Sequence, residues 1–181
     1  MKGLIFNSLA ELVETQHDLA TWNRVLGRID SVVDGAYVST DSYPASEMQA
    51  LVMALTEELE TPAAELLNHF GSWLFHDLYR AYPELVDGHT DLVPFIASVS
   101  DVIHEEMKII YADAEVPTMS YTTQDRHNLT FYYQSPRQLC LLAEGLVRGA
   151  AAHFAVEADL EHQTCMHDGA DRCTFLLRVR A

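Results

Sequence analysis

The sequence predicts an α+β domain, with N-terminal helices packed against a C-terminal antiparallel sheet and its helix. Three observations point there. Apolar residues recur at helical spacing from residue 3 to about 112, and runs rich in β-branched and aromatic residues take over after Pro117. One further helical run, from about 138 to 154, interrupts these strands. At 181 residues, 49% of them hydrophobic, the chain is of single-domain size and can bury a sizeable core, so residues 1–181 are expected to form one domain. No internal repeat, low-complexity tract or linker interrupts it.

The first helix is predicted over residues 3 to 17, where Ile5, Leu9, Leu12, Val13 and Gln16 share a stripe. A second, over about 18 to 28, carries Leu19, Trp22, Val25 and Leu26. Residues 35 to 44 are turn-like, and Ser46 with Gln49 has the spacing of a capping box for a third helix reaching Glu60. Pro62 then opens a fourth helix with Leu66, Leu67, Phe70, Leu74 and Leu78 on its buried side, ending before Pro83. Gly71 lies inside it, where glycine costs about 0.5–1 kcal/mol relative to alanine, so either a neighbouring helix or a cofactor approaches the backbone there.

A loop at 87 to 90 precedes a short apolar helix over 92 to 96, with Pro94 tolerated in its first turn. Ser98 or Ser100 caps the next helix, about 101 to 112, which carries His104. The positive end of that helix favours a neutral imidazole, the form that binds a metal, although Glu105 and Glu106 oppose this. Residues 119 to 123 and 129 to 133 read as a hairpin. After the helix at 138 to 154, alternation from Phe154 to Thr164 and the run from Thr174 to Val179 complete the sheet.

Composition narrows the function. With 27 acidic against 11 basic side chains the formal charge is −16, which repels nucleic acid and anionic lipid, so neither is an expected partner. After Met1 and Lys2 the apolar residues are interrupted by Asn7 and Glu11, unlike a signal peptide, and no run reaches the roughly 18 residues of a membrane span. Three cysteines, an odd count, suit reduced thiols, so a cytoplasmic protein is expected. The sequence has no nucleophile elbow, phosphate loop or open three-ligand metal motif, and no enzyme is expected.

Two constellations carry chemistry. At the end of the hairpin, Pro136 biases Ser135 towards extended backbone, so that Tyr133, Ser135 and Arg137 are expected on one face. A phenol, a hydroxyl and a guanidinium together can grip a carboxylate or phosphate. The second constellation is Cys140, Cys165 and Cys173 with a histidine, either His162 or His167. Three thiolates and an imidazole form a closed tetrahedral structural zinc site, and the turn around Gly169 is a suitable place for it.

Tyr133, Ser135 and Arg137, with His104 upstream and the opening Met1, Lys2, Gly3, Leu4, Ile5, Phe6 and Asn7, resemble the H-NOX family of haem-nitric oxide/oxygen binding domains over essentially the whole chain. The resemblance implies a haem b buried between the helices and the sheet. His104 would be the axial ligand of its iron, and Tyr133, Ser135 and Arg137 would hold its propionates. Ile5, Leu9, Leu74, Leu142 and Leu146 would line the distal face, with Pro117 packed against the porphyrin. It favours His162 over His167 as the fourth zinc ligand, as in the zinc-bearing, nitric oxide-sensing branch. Oxygen-binding members place a tyrosine where this chain has Leu142, and polar residues where it has Leu9 and Leu74.

Bound dioxygen draws electron density and needs a hydrogen-bond donor, so the resemblance implies a sensor of nitric oxide that also takes carbon monoxide but forms no stable oxygen complex. Release of His104 would carry the signal to a separate protein such as a histidine kinase or a cyclic-dinucleotide enzyme. The competing expectations are a zinc-bearing module for small hydrocarbons, which the Glu144 to Gly149 helix and the cysteine hairpin also resemble, and a zinc-thiolate redox switch.

Overall fold

The computed structural model describes residues 1–100, 104 and 116–180. Its first half is helical: α1 (Gly3–Gln16), α2 (Leu19–Leu26), α3 (Ala45–Leu59), α4 (Ala63–Ala81), α5 (Glu84–Asp87) and α6 (Leu92–Ser98). The second half holds β1 (Thr118–Asp125), β2 (Asn128–Gln134), α7 (Cys140–His153), β3 (Ala158–Thr164) and β4 (Cys173–Val179), with a 3-10 turn at Met166–Asp168. The expected α+β architecture is therefore present. Among the described residues, no helix is long and apolar enough to cross a membrane.

The apolar stripes explain the helical layer. Phe6, Leu9, Leu12 and Val13 of α1 meet Trp22 and Val25 of α2, Leu51 and Leu55 of α3, and Phe70 and Leu74 of α4 in one buried cluster. Asp18 caps α2 by accepting from the Thr21 amide at 2.6 Å. The capping box expected for α3 does not form. Pro44 starts that helix at Ala45, no side chain caps it, and Glu47 instead accepts hydrogen bonds from Ser31 and Tyr37, both at 2.7 Å. Tyr37 is 7% exposed, and a buried phenol needs such an acceptor.

The sheet is antiparallel throughout, in the order β1-β2-β4-β3. Phe131 pairs with Phe175 across β2 and β4, their rings stacked at 4.7 Å, and Tyr133 pairs with Cys173 on the same strands. β3 begins only at Ala158. The alternation visible from Phe154 is overridden because α7 continues to His153 and Ala155 takes a left-handed φ of 53°. A second apolar cluster fills the space between the sheet, α6 and α7.

Helices α4 and α7 bind the two halves together. A Cβ on Gly71 would sit 2.2 Å from the Leu142 carbonyl oxygen, and one on Gly145 would sit 2.1 Å from that of Asn68. The close approach anticipated at Gly71 is thus met by a helix. Glycine at both positions lets the backbones touch, which places Leu74 and Leu142 in the same buried cluster.

Candidate functional site

The clamp residues sit where β2 gives way to a turn. The strand stops at Gln134, and the Gln138 amide donates to the Ser135 carbonyl at 3.0 Å, so Arg137 is delivered by a turn and not by strand alternation. The Ser135 hydroxyl accepts from the Arg137 amide at 3.2 Å. Tyr133 and Ser135 are buried, at 4% and 2% exposure. Burial pushes the Tyr133 phenol above its ordinary value, while the Ser135 hydroxyl, the Leu139 backbone and the Arg137 charge pull it back, so the three groups share one neighbourhood. Half-buried Arg137 pairs with no carboxylate among the described residues. A guanidinium held beside a buried phenol and hydroxyl without an internal anion is suited to an incoming one.

Leu9, Leu74 and Leu142 are buried in one apolar cluster, and Ile5 and Leu146 pack against it. These five side chains come from α1, α4 and α7, and none carries a hydrogen-bond donor. Pro117 is half-buried just before β1. His104 is helical and half-buried, while the rest of the helix expected over 101 to 112 lies outside the described residues. Ser98 and Ser100, considered as its caps, donate their hydroxyls to the Phe95 and Met119 carbonyls at 2.7 and 2.9 Å, and the helix start they would cap lies outside the described residues. An apolar cluster and an anion clamp in one fold are the two kinds of group that a flat apolar cofactor with carboxylates at its edge, such as haem, requires.

The second constellation is brought together. One ligand atom from each of Cys140, His162, Cys165 and Cys173 lies within 4.8 Å of the others. Cys140 is at the start of α7, His162 is on β3, Cys165 opens the turn that follows, and Cys173 begins β4. All three cysteines are free. The Cys140 and Cys165 sulfurs are 3.8 Å apart, matching the edge of about 3.8 Å that a tetrahedron with zinc–sulfur bonds of about 2.3 Å requires. The Met166 amide lies 3.3 Å from the Cys173 sulfur, as a donor to a thiolate would.

Burial pushes the Cys140 and Cys173 thiols up, with thiol neighbours adding to the effect at Cys140 and the Met166 amide opposing it at Cys173, and a bound cation would favour their ionised forms. Burial lowers the His162 value against the pull of Glu144, which keeps the ring in its neutral, metal-binding form. His162 Nε2 is buried and has no hydrogen-bond partner. Such an unpartnered nitrogen, on a histidine clustered with three thiols, suits a soft divalent metal. The competing His167 is engaged elsewhere, its Nε2 lying 2.9 Å from the Gln138 carbonyl.

Two neighbours of this cluster were not anticipated. Glu144 of α7 approaches the His162 ring, and Asn68 of α4 donates to Glu144 at 2.8 Å. Seventy-six residues separate Glu144 from Asn68, so no local pattern marks the pair.

Residues 2–162 match the haem-NO-binding family. Among solved structures, the fold is similar to an H-NOX protein from S. oneidensis in the Fe(II)NO ligation state, at 34% identity, 100% coverage of both chains and a TM-score of 0.92. It is also similar to the Fe(II) unliganded H-NOX protein from K. algicida, at 28% identity, 100% coverage of this chain and 97% of that one, with a TM-score of 0.92. The H-NOX protein of Shewanella woodyi in the Fe(II)CO state, solved with IWP-051 bound, follows at 29% identity, 100% and 95% coverage and a TM-score of 0.86. No curated protein matches. The chain belongs to the haem-NO-binding, or H-NOX, family and has the fold of its haem-based gas sensors.

Proposed function

We propose that residues 1–181 form one cytoplasmic sensor domain that binds nitric oxide, and also carbon monoxide, at a ferrous haem b, and that it belongs to the zinc-bearing branch of its family. The observations that carry this reading are Arg137, which shares a neighbourhood with buried Tyr133 and Ser135 and pairs with no carboxylate among the described residues, and the gathering of Ile5, Leu9, Leu74, Leu142 and Leu146 in one apolar cluster. When bound, haem supplies an iron that takes diatomic gases. Tyr133, Ser135 and Arg137 hold its carboxylates, the leucines keep water and hydrogen-bond donors from the gas, Pro117 packs on the ring, and His104 is the axial ligand. Relatives solved in the Fe(II)NO and Fe(II)CO states support both gases.

With haem bound, His104 would hold the iron, and its release on nitric oxide binding would carry the signal to a partner, such as a histidine kinase or a cyclic-dinucleotide enzyme, that distinguishes the two states. Cys140, His162, Cys165 and Cys173 hold a structural zinc ion, and three free thiols accord with a reducing, cytosolic setting. The family match over residues 2–162 favours this account over a hydrocarbon-binding module.

The test is the absorption spectrum of the purified, reduced protein before and after nitric oxide, for wild type and His104→Gly. An intense Soret band that shifts with the gas, and that is altered in the variant, is expected. A protein that stays colourless when haem is supplied would overturn the proposal.

A further inference from the structure

We infer that Glu144, steadied by Asn68, is the positioning residue that orients the His162 ring towards the metal and ties the metal cluster to α4. The inference rests on the metal reading above. His162 has two ring nitrogens with different surroundings. Nε2 is buried without a partner, whereas Nδ1 lies 3.8 Å from Glu144 Oε1. The ring face stacks on Phe175 at 4.1 Å, which fixes its plane and leaves rotation within that plane to be decided by its edge contacts. A carboxylate on the Nδ1 side draws the ring proton there and leaves the Nε2 lone pair for the metal.

The Glu144 side chain is 13% exposed, and no Lys or Arg pairs with it among the described residues. So shielded a carboxylate needs partners: Asn68 Nδ2 donates to Oε2 at 2.8 Å, and the imidazole edge lies 3.8 Å from Oε1, within electrostatic but not hydrogen-bond reach. Asn68 touches α7 a second time, through the backbone carbonyl that packs against Gly145. One residue of α4 therefore meets both the helix contact and the carboxylate behind His162. The chain from metal ligand to α4 is His162, Glu144, Asn68, and α4 also carries Leu74 of the proposed gas-binding face.

Zinc affinity of the reduced, haem-containing full chain, measured by competition with a chromogenic chelator, tests this in wild type, Glu144→Gln, Glu144→Ala and Asn68→Ala. Cobalt(II) spectra report the ligand geometry independently. Glu144→Ala is expected to weaken zinc about 10–100-fold, with shifted tetrahedral cobalt bands. Glu144→Gln keeps the size of the side chain and its capacity to accept from Asn68 but loses the charge. A packing role would leave it at wild-type affinity, whereas an orienting role predicts a loss of about tenfold. Asn68→Ala is expected to show a smaller loss in the same direction.

Wild-type affinity and unshifted cobalt bands in Glu144→Gln would overturn the inference, and they decide the matter even if Glu144→Ala does not fold. A wild type that takes up neither zinc nor cobalt would overturn the metal reading itself, an outcome distinct from a normal wild type with unaffected variants.

Discussion

At the metal cluster, four donors from a helix start, a strand, a turn and a second strand lie within 4.8 Å of one another, and Phe175 packs on the histidine. At the proposed haem site, Arg137 pairs with no carboxylate among the described residues, and the apolar residues are spread over α1, α4 and α7. The difference is that between a closed arrangement, whose four donors are already gathered within reach of a single ion, and an open one, whose proposed occupant is a far larger group. The two are joined by one stretch of chain. Tyr133 faces Cys173 across β2 and β4, and the backbone passes from Tyr133 through Ser135 and Arg137 to Cys140 of the cysteine cluster and to Leu142 of the apolar cluster. Either site can be disturbed separately, and the comparison predicts which disturbance spreads.

The largest effect is expected from Cys173→Ala. Structural zinc supplies about 10–16 kcal/mol to zinc-finger peptides, where metal binding and folding are one event. Losing one ligand here should forfeit several kcal/mol, and at about 2–4 °C per kcal/mol for a domain of this size the melting temperature should fall by about 10 °C or more. Calorimetry of metal-loaded wild type, chelator-treated wild type and the variant measures it. Because Cys173 is completely buried and pairs with Tyr133, haem retention should fall as well. An unchanged melting temperature in both treated proteins would show that the cluster holds no structural metal.

Arg137→Ala should act in the opposite sense, weakening the open site and sparing the closed one. A charge-assisted hydrogen bond contributes about 1.5–3 kcal/mol, so transfer of haem to an acceptor protein should accelerate about 10–100-fold while zinc content and melting of the haem-free protein stay close to wild type. Arg137→Lys keeps the charge but not the two parallel bonds, and should fall between them. Equal haem loss from wild type and Arg137→Ala would remove the clamp assignment.

The sequence showed these two sites unequally, and for physical reasons. The cysteines were legible because they are few and rare, and their chemistry narrows to metal or redox roles; residue spacing alone left His162 and His167 open, the family resemblance favoured His162, and the fold clusters His162 with the cysteines while His167 lies against the Gln138 carbonyl. Helices and strands were legible from periodicity. The failures came where the backbone overrode a local signal: α3 already starts at Ala45 behind Pro44, so Ser46 lies inside the helix and cannot cap it, and the left-handed turn at Ala155 after α7 delays β3 beyond the alternation that begins at Phe154. Glu144 and Asn68 carried no local signal because their meaning arises only when Gly71 and Gly145 let α4 and α7 touch. Gly71 did announce a close approach, without saying whose.

The smallest predicted effect is the one that bears most directly on which gas is chosen. Leu142 is 6% exposed, in the same cluster as Leu9 and Leu74, and none of the three can donate a hydrogen bond to a bound gas. Nitric oxide binds ferrous iron firmly without such help, while dioxygen acquires negative charge that a donor must stabilise. Leu142→Tyr introduces a hydroxyl there. One hydrogen bond contributes about 0.5–1.5 kcal/mol, so dioxygen release in stopped flow should slow about 2–10-fold, with nitric oxide binding little changed. The Leu142→Phe variant adds the same ring without the hydroxyl and separates the bond from the bulk, since the Leu142 carbonyl already abuts Gly71 and a larger side chain strains that contact. If Phe slows release as much as Tyr does, restricted escape and not a hydrogen bond governs oxygen. If the wild type already holds dioxygen stably, a donor beyond these leucines serves the cleft, and the nitric oxide-selective reading of the open site fails.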